Sequence, residues 1–108
     1  MFGHIFKPMV TAENFFPALA DPTRLRCLLL LAVEGELCVC ELTHALDESQ
    51  PKVSRHLAML REVGIVCDRR EGLWIHYRIN PGLPVWAREI LNTASRANAT
   101  AKPFTQDR

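Results

Sequence analysis

At Gly64 the apolar period of this chain changes from that of a helix to that of a strand, and nothing else in its 108 residues restricts the fold as tightly. Ahead of Gly64, Val53, Leu57 and Leu60 recur at the three- and four-residue spacing of a buried helical stripe. Ser49 can cap that segment, and Pro51 is tolerated in its first turn. Behind Gly64, Ile65, Val66 and Cys67 begin a strand, and Trp74, Ile75, His76, Tyr77, Arg78 and Ile79 return it. The polar, glycine-containing Arg69-Arg70-Glu71-Gly72 lies between them, which is a hairpin signal. A further short helix is expected over Cys38 to Leu46, with Leu42 and Leu46 facing inward and Asp47-Glu48 as the turn. Glu41 to Val63 therefore reads as helix, short turn, helix, followed directly by a β-hairpin.

The remaining segments are helical. Thr11 to Leu19 can form a short helix. Asp21 is a good N-cap with Pro22 in the first turn, Leu25, Leu28, Leu29 and Ala32 make a stripe, and Gly35 ends the helix. Pro81, Gly82 and Pro84 break the chain. Val85 to about Ala97 then makes a last helix with Trp86, Ile90, Leu91 and Ala94 apolar. The expectation is mainly α with a small β-hairpin, a winged helix-turn-helix, over residues 1–98, with 99–108 as a flexible C-terminal tail.

Composition excludes several classes. Hydrophobic content of 48% and charged content of 23% are ordinary for a folded protein, and the length suits one core. The longest apolar run, Cys27 to Val33, is far short of a bilayer span. The N-terminus lacks the pattern of a secretion signal. Together these point to the cytoplasm and against a membrane partner. There is no nucleophile–base pair, phosphate loop or placed carboxylate pair, which argues against an enzyme. Net charge is only +1, but Gln50 to Arg78 holds six positive and three negative side chains, a local +3.

That segment is where a winged helix-turn-helix meets DNA, with the N-terminal turn of its second helix in the major groove. The outward candidates are Gln50, Lys52, Ser54, Arg55 and His56. Gln suits adenine, Arg suits guanine, and Lys52 suits a phosphate. Arg69 and Arg70, at the expected hairpin tip, would reach phosphates or the minor groove. One such helix reads few bases, so a homodimer on palindromic double-stranded DNA is expected. Trp86, Ile90 and Leu91 are candidates for the dimer interface, or alternatively close the monomer core.

Four cysteines, Cys27, Cys38, Cys40 and Cys67, suit thiols in a reducing compartment. Cys27, inside a leucine run, reads as a small core residue. Cys38 and Cys40 form a pair able to hold a soft ion. Residues i and i+2 of a regular helix lie about 200° apart, so chelation is expected to unwind the start of their helix. His4, His44, His56 and His76 share no ligand spacing.

The motifs Leu19-Ala20-Asp21-Pro22-Thr23-Arg24-Leu25, Glu36-Leu37-Cys38-Val39-Cys40-Glu41-Leu42, Ser49-Gln50-Pro51-Lys52-Val53-Ser54-Arg55-His56-Leu57-Ala58-Met59-Leu60-Arg61 and Gly72-Leu73-Trp74-Ile75-His76-Tyr77-Arg78 resemble the ArsR/SmtB family of metal-responsive repressors, in its arsenical branch. The resemblance implies a dimeric repressor that needs no cofactor and leaves its operator when trivalent arsenic or antimony, as inducer, binds Cys38 and Cys40. The best-known family pattern has a third cysteine three residues after Cys40. Here that position is Thr43, and a hydroxyl is a poor ligand for a soft metalloid. Two thiolates completed by hydroxide or water, a methylated or other organic arsenical needing only two thiols, or a third sulfur from Cys67 or Cys27 remain open. A thiol redox sensor of the same fold is the other alternative.

Overall fold

Three helices of this chain start where a side chain satisfies an orphan backbone N–H. In a computed structural model, residues Met9–Asn98 are described; the expected tail, 99–108, lies outside them, as do residues 1–8. Thr11 caps α1 (Ala12–Ala18), and Asn14 reaches back to complete a capping box. Asp21 caps α2 (Pro22–Glu34), its carboxylate accepting from the Arg24 N–H at 3.0 Å. Ser49 caps α4 (Gln50–Val63) by accepting from the Lys52 N–H at 3.4 Å. Between them lies α3 (Val39–Leu46), whose N-cap is Cys38 and which ends at Asp47 in the left-handed conformation, φ 55°. That left-handed residue makes the sharp corner between the two helices of the helix-turn-helix.

The expected stripe on α2 is too narrow. Five consecutive residues, Cys27 to Leu31, are buried, so α2 is covered on nearly every side. It packs against α3, α4, α5 and the sheet, and is the central helix of the fold. The last helix, α5 (Val85–Ala97), buries Ala87, Leu91 and Ser95 against it. The Ser95 hydroxyl donates to the Leu29 carbonyl at 3.4 Å, tying α5 to α2.

The sheet corrects the sequence reading. Besides β2 (Val66–Glu71) and β3 (Trp74–Ile79), it contains β1 (Glu36–Cys38), in the order β1-β3-β2, all antiparallel. Glu36 stands opposite Arg78, and Cys38 opposite His76. Cys38 was expected to open a helix; it ends a strand instead. Three residues are too few for a period-2 signal, and β1 exists because β3 pairs with it. The hairpin turn is Gly72-Leu73, with Gly72 at φ 61°, so Arg69 and Arg70 lie within β2 and not at the tip.

Asn80 joins the pieces around Gly64. Its side-chain amide donates to the Gly64 carbonyl and its backbone N–H to the Ile65 carbonyl, both at 2.9 Å, while its side-chain oxygen accepts from the Gly82 N–H at 2.9 Å. Gly64 itself, at φ 99°, lets the chain turn from α4 into the wing.

Candidate nucleic-acid interface and thiol site

The first turns of α4 carry the sequence-expected reading residues, and the structure sorts them. Gln50 and Arg55 are exposed, and Ser54 is half-exposed. The Gln50 amide donates to the Ser54 hydroxyl at 3.0 Å, one helical turn away, which holds both side chains on a common face. Lys52 pairs with Glu48 at 3.1 Å. His56 does not face outward: it is only 9% exposed, packed against the start of α2. Its Nδ1 lies 3.3 Å from the Arg24 guanidinium and its Nε2 3.7 Å from the Asp21 carboxylate. At three residues past Val53 and one before Leu57, His56 falls on the inner side of α4, so its place follows the helical period that was applied to its neighbours. Burial pushes the Asp21 carboxyl up, but the Arg24 N–H and the nearby His56 and Arg24 charges outweigh it, and its pKa falls below the usual value.

The wing holds a second correction. Arg69 donates to both oxygens of the Glu36 carboxylate, at 2.9 and 2.8 Å, and reaches Glu71 at 3.3 Å. The bidentate bond to Arg69 is the main reason the Glu36 carboxyl is held below the ordinary glutamate range. Arg69 is thus engaged across the sheet, whereas the side chain of Arg70 is exposed with no hydrogen-bond partner among the described residues. The Glu36 clamp could not be anticipated without β1, because 33 residues separate the partners.

The two thiols meet at the junction of β1 and α3. Cys38 is buried and Cys40 exposed, and their sulfurs are 2.7 Å apart. This is possible because Cys38 is extended, at φ −80° and ψ 163°, and so lies outside the helical phase that would send the two side chains apart. The expectation that the helix must unwind before both sulfurs face one ion is therefore overturned. The Glu41 carboxylate accepts from the Cys38 N–H at 2.8 Å and fixes this cap. Burial, followed by the Cys40 contact, raises the Cys38 thiol pKa, against a lowering from the Glu41 backbone N–H.

Among the described residues no third soft ligand joins them. Among the described residues, no three His, Cys, Asp or Glu side chains cluster as a metal site. Cys67 pairs with Arg78 on the far edge strand, while Cys38 pairs with His76 on the near one. Two strand spacings put their backbones about 10 Å apart or more, which removes Cys67 as a ligand within one chain. Cys27 is fully buried within α2. The Thr43 hydroxyl donates to the Val39 and Cys40 carbonyls at 3.1 and 2.8 Å. His76, opposite Cys38, lies with its Nε2 3.5 Å from Glu71.

Cys40 and Thr43 line an open cleft of about 400 Å³ together with Gln50, Ser54 and Trp74. Cys40 and the polar side chains Gln50 and Ser54 of α4 thus share one cavity wall. On α5 the proposed interface residues divide. Leu91 is 1% exposed and belongs to the monomer core, so it cannot serve as an interface residue. Ile90 is half-buried, and Trp86 is part-exposed, packed edge-on against Phe15 with ring centroids 5.3 Å apart.

A helix-turn-helix whose second helix presents polar side chains, closed by a β-hairpin, defines a winged-helix DNA-binding transcriptional regulator. The family model for bacterial regulatory proteins of the arsR family matches residues 21–67. The chain is 55% identical over 96 residues to the arsenic resistance transcriptional regulator ArsR1 of Pseudomonas putida, covering 89% of this chain and 74% of that one. It is 58% identical over 83 residues to the arsenical resistance operon repressor of Escherichia coli, covering 77% and 71%. The solved AntR antimony-specific transcriptional repressor superposes with a TM-score of 0.67 at 30% identity, covering 90% of each chain. The protein belongs to the arsR family of bacterial regulatory proteins, among its arsenical-resistance repressors. Such proteins are DNA-binding transcriptional regulators and not enzymes. Among the described residues no helix is long and apolar enough to cross a membrane.

Proposed function

We propose that this protein is a homodimeric repressor that binds palindromic operator DNA and is released when trivalent arsenic or antimony is held by Cys38 and Cys40. The observation that carries the reading is the 2.7 Å approach of the two sulfurs at the head of the helix-turn-helix. A metal–thiolate bond is about 2.3 Å for zinc; at that length two ligating sulfurs stand roughly 3.3–3.8 Å apart, so chelation requires the pair to open by only about 1 Å. Arg55, Gln50 and Ser54 read bases, and Lys52 and Arg70 contact phosphates. Trp86 and Ile90, beside the exposed Phe16 and Val85, contribute to the dimer contact.

Chelation acts on a junction rather than on a helix interior. Cys38 ends β1, and β1 carries Glu36, which holds the wing through Arg69. Cys40 lies in the first turn of α3, which packs on α4. Opening the sulfur pair therefore shifts the wing relative to the reading helix, and a coupling of about 1–3 kcal/mol accounts for a 5- to 150-fold loss of affinity.

Fluorescence anisotropy of a labelled palindromic operator, titrated with protein and then with arsenite, antimonite, zinc or peroxide, tests this. Tight, salt-sensitive binding reversed by arsenite or antimonite is expected. Reversal by peroxide or zinc alone would keep the winged helix and overturn the assigned inducer.

A further inference from the structure

The wing ends in an apolar tip. Gly72, at φ 61°, brings no side chain, so Leu73 alone projects from the two-residue turn between β2 and β3. Leu73 is 95% exposed and its neighbour Trp74 57%, two adjacent large apolar side chains standing in water. Charge lies behind the tip rather than on it. Arg69 is held by Glu36, and Glu71 is drawn onto Arg69 and His76. Arg70, exposed, stands opposite Ile75 in the hairpin register. Leu73 and Trp74 also line one open cleft with Gln50 and Ser54, so the tip stands beside the first turns of α4. With those turns in the major groove, the groove across the intervening sugar–phosphate strand is the minor one. A phosphate calls for a cation, which this tip lacks; the apolar surface that DNA offers is the face of a stacked base.

We infer that Leu73 is a minor-groove wedge, inserting at a base step beside the bases that α4 reads and kinking the operator there. The inference rests on α4 being the DNA-reading helix. A leucine side chain between two bases leaves water, and apolar side chains inserted in this way bend a duplex by about 20–90° toward the major groove. Arg70, behind the tip, neutralises a flanking phosphate. The opposing cost is unstacking, which is smallest at flexible pyrimidine–purine steps and larger in a stiff A-tract. Leu73 therefore determines specificity at a position where no hydrogen bond reads the sequence. That position lies about five base pairs, half a helical turn, from the bases that Gln50 and Arg55 read.

The test uses the full chain on palindromic operator duplexes with either a TA step or an A-tract at that position. Energy transfer between fluorophores at the duplex ends reads the bend, and a fluorescent aminopurine beside the step reads unstacking. Binding should bend the TA duplex by about 20° or more at each wing, brighten the aminopurine, and favour TA over the A-tract by about fivefold or more. Leu73→Ser should abolish all three together. Leu73→Lys should abolish them as well, while steepening the salt dependence of binding by about one charge per wing, which shows that the altered tip still folds and meets DNA. Neither change reaches the core, so thermal unfolding should not move. A straight, dark wild-type complex whose affinity falls in Arg55→Ala overturns the wedge and leaves the reading helix standing. Bend and preference retained in Leu73→Ser, with dimers lost in sedimentation, give the tip to a second copy of the chain and overturn the wedge. Operator binding undiminished in Arg55→Ala overturns both readings.

Discussion

Two helix N-caps in this molecule do the same geometric work with different chemistry. At the start of α2, the Asp21 carboxylate takes the Arg24 N–H and sits against His56 of the reading helix. At the start of α3, Cys38 occupies the equivalent place with a thiol, a weak acceptor, and the carboxylate of Glu41 reaches back to support it. The first cap is a strong, charge-assisted one. The second is weak in itself and lies within reach of a second thiol. The difference teaches that a weak cap leaves its side chain available: a ligand taking the Cys38 sulfur would remove little that the fold depends on.

The sharpest way to break this comparison is to remove one sulfur. Cys38→Ser and Cys40→Ser should leave operator binding in place and raise the arsenite concentration for release by about 10²–10⁴-fold, the scale of losing one of two linked ligands. Anisotropy titration reads both quantities, and loss of DNA binding would make the thiol cap a structural one after all. At the other cap, Asp21→Ala should cost about 0.5–2 kcal/mol, a fall in Tm of several degrees in thermal unfolding. It should also weaken DNA binding by loosening His56.

Glu36→Gln tests whether the weak cap is connected to the wing. Arg69 would be freed, and the salt dependence of operator binding should steepen by about one charge, measured as the slope of affinity against salt. An unchanged slope would mean Arg69 never reaches a phosphate.

The smallest effects concern pH, and the two caps should respond at opposite ends. Asp21 has a lowered pKa, so its contribution to stability is present above the ordinary carboxylate value and is lost as pH falls through the lower folded one. Cys38 has a raised pKa, so its contribution is present below the ordinary thiol value and lost as pH rises through the higher folded one. Asp21→Asn should flatten only the acid limb of a denaturation-midpoint profile, and Cys38→Ser only the alkaline limb.

Much of this was legible from residue order. Ser49 and Asp21 announced helix starts, Gly64 announced the change of period, and Val53, Leu57 and Leu60 gave the buried face of α4. The same period places His56 on the inner side, and the outward assignment failed because a polar side chain was assumed to seek solvent. What could not be read depends on pairing across long separations. β1 is three residues long and is held by β3, so neither the strand, nor the extended Cys38 that brings the sulfurs together, nor the Glu36–Arg69 clamp leaves a local trace. Leu91 looked like surplus apolar area only because the burial of α2 on nearly every side was not evident from its stripe.

Asn80 touches the end of α4, the start of the wing and the turn into α5 with four hydrogen bonds. In mechanical terms it removes a joint. With that corner pinned, the base of the wing and the end of α4 have no independent degree of freedom at Gly64, and relative motion must be taken up at the other end of each. For α4 that is the left-handed corner at Asp47, and for the wing it is the Gly72-Leu73 turn. β1, which ends at Cys38, meets β3 beside that pinned base, opposite His76 to Arg78, so a small displacement at the thiols acts on a lever close to its fixed end.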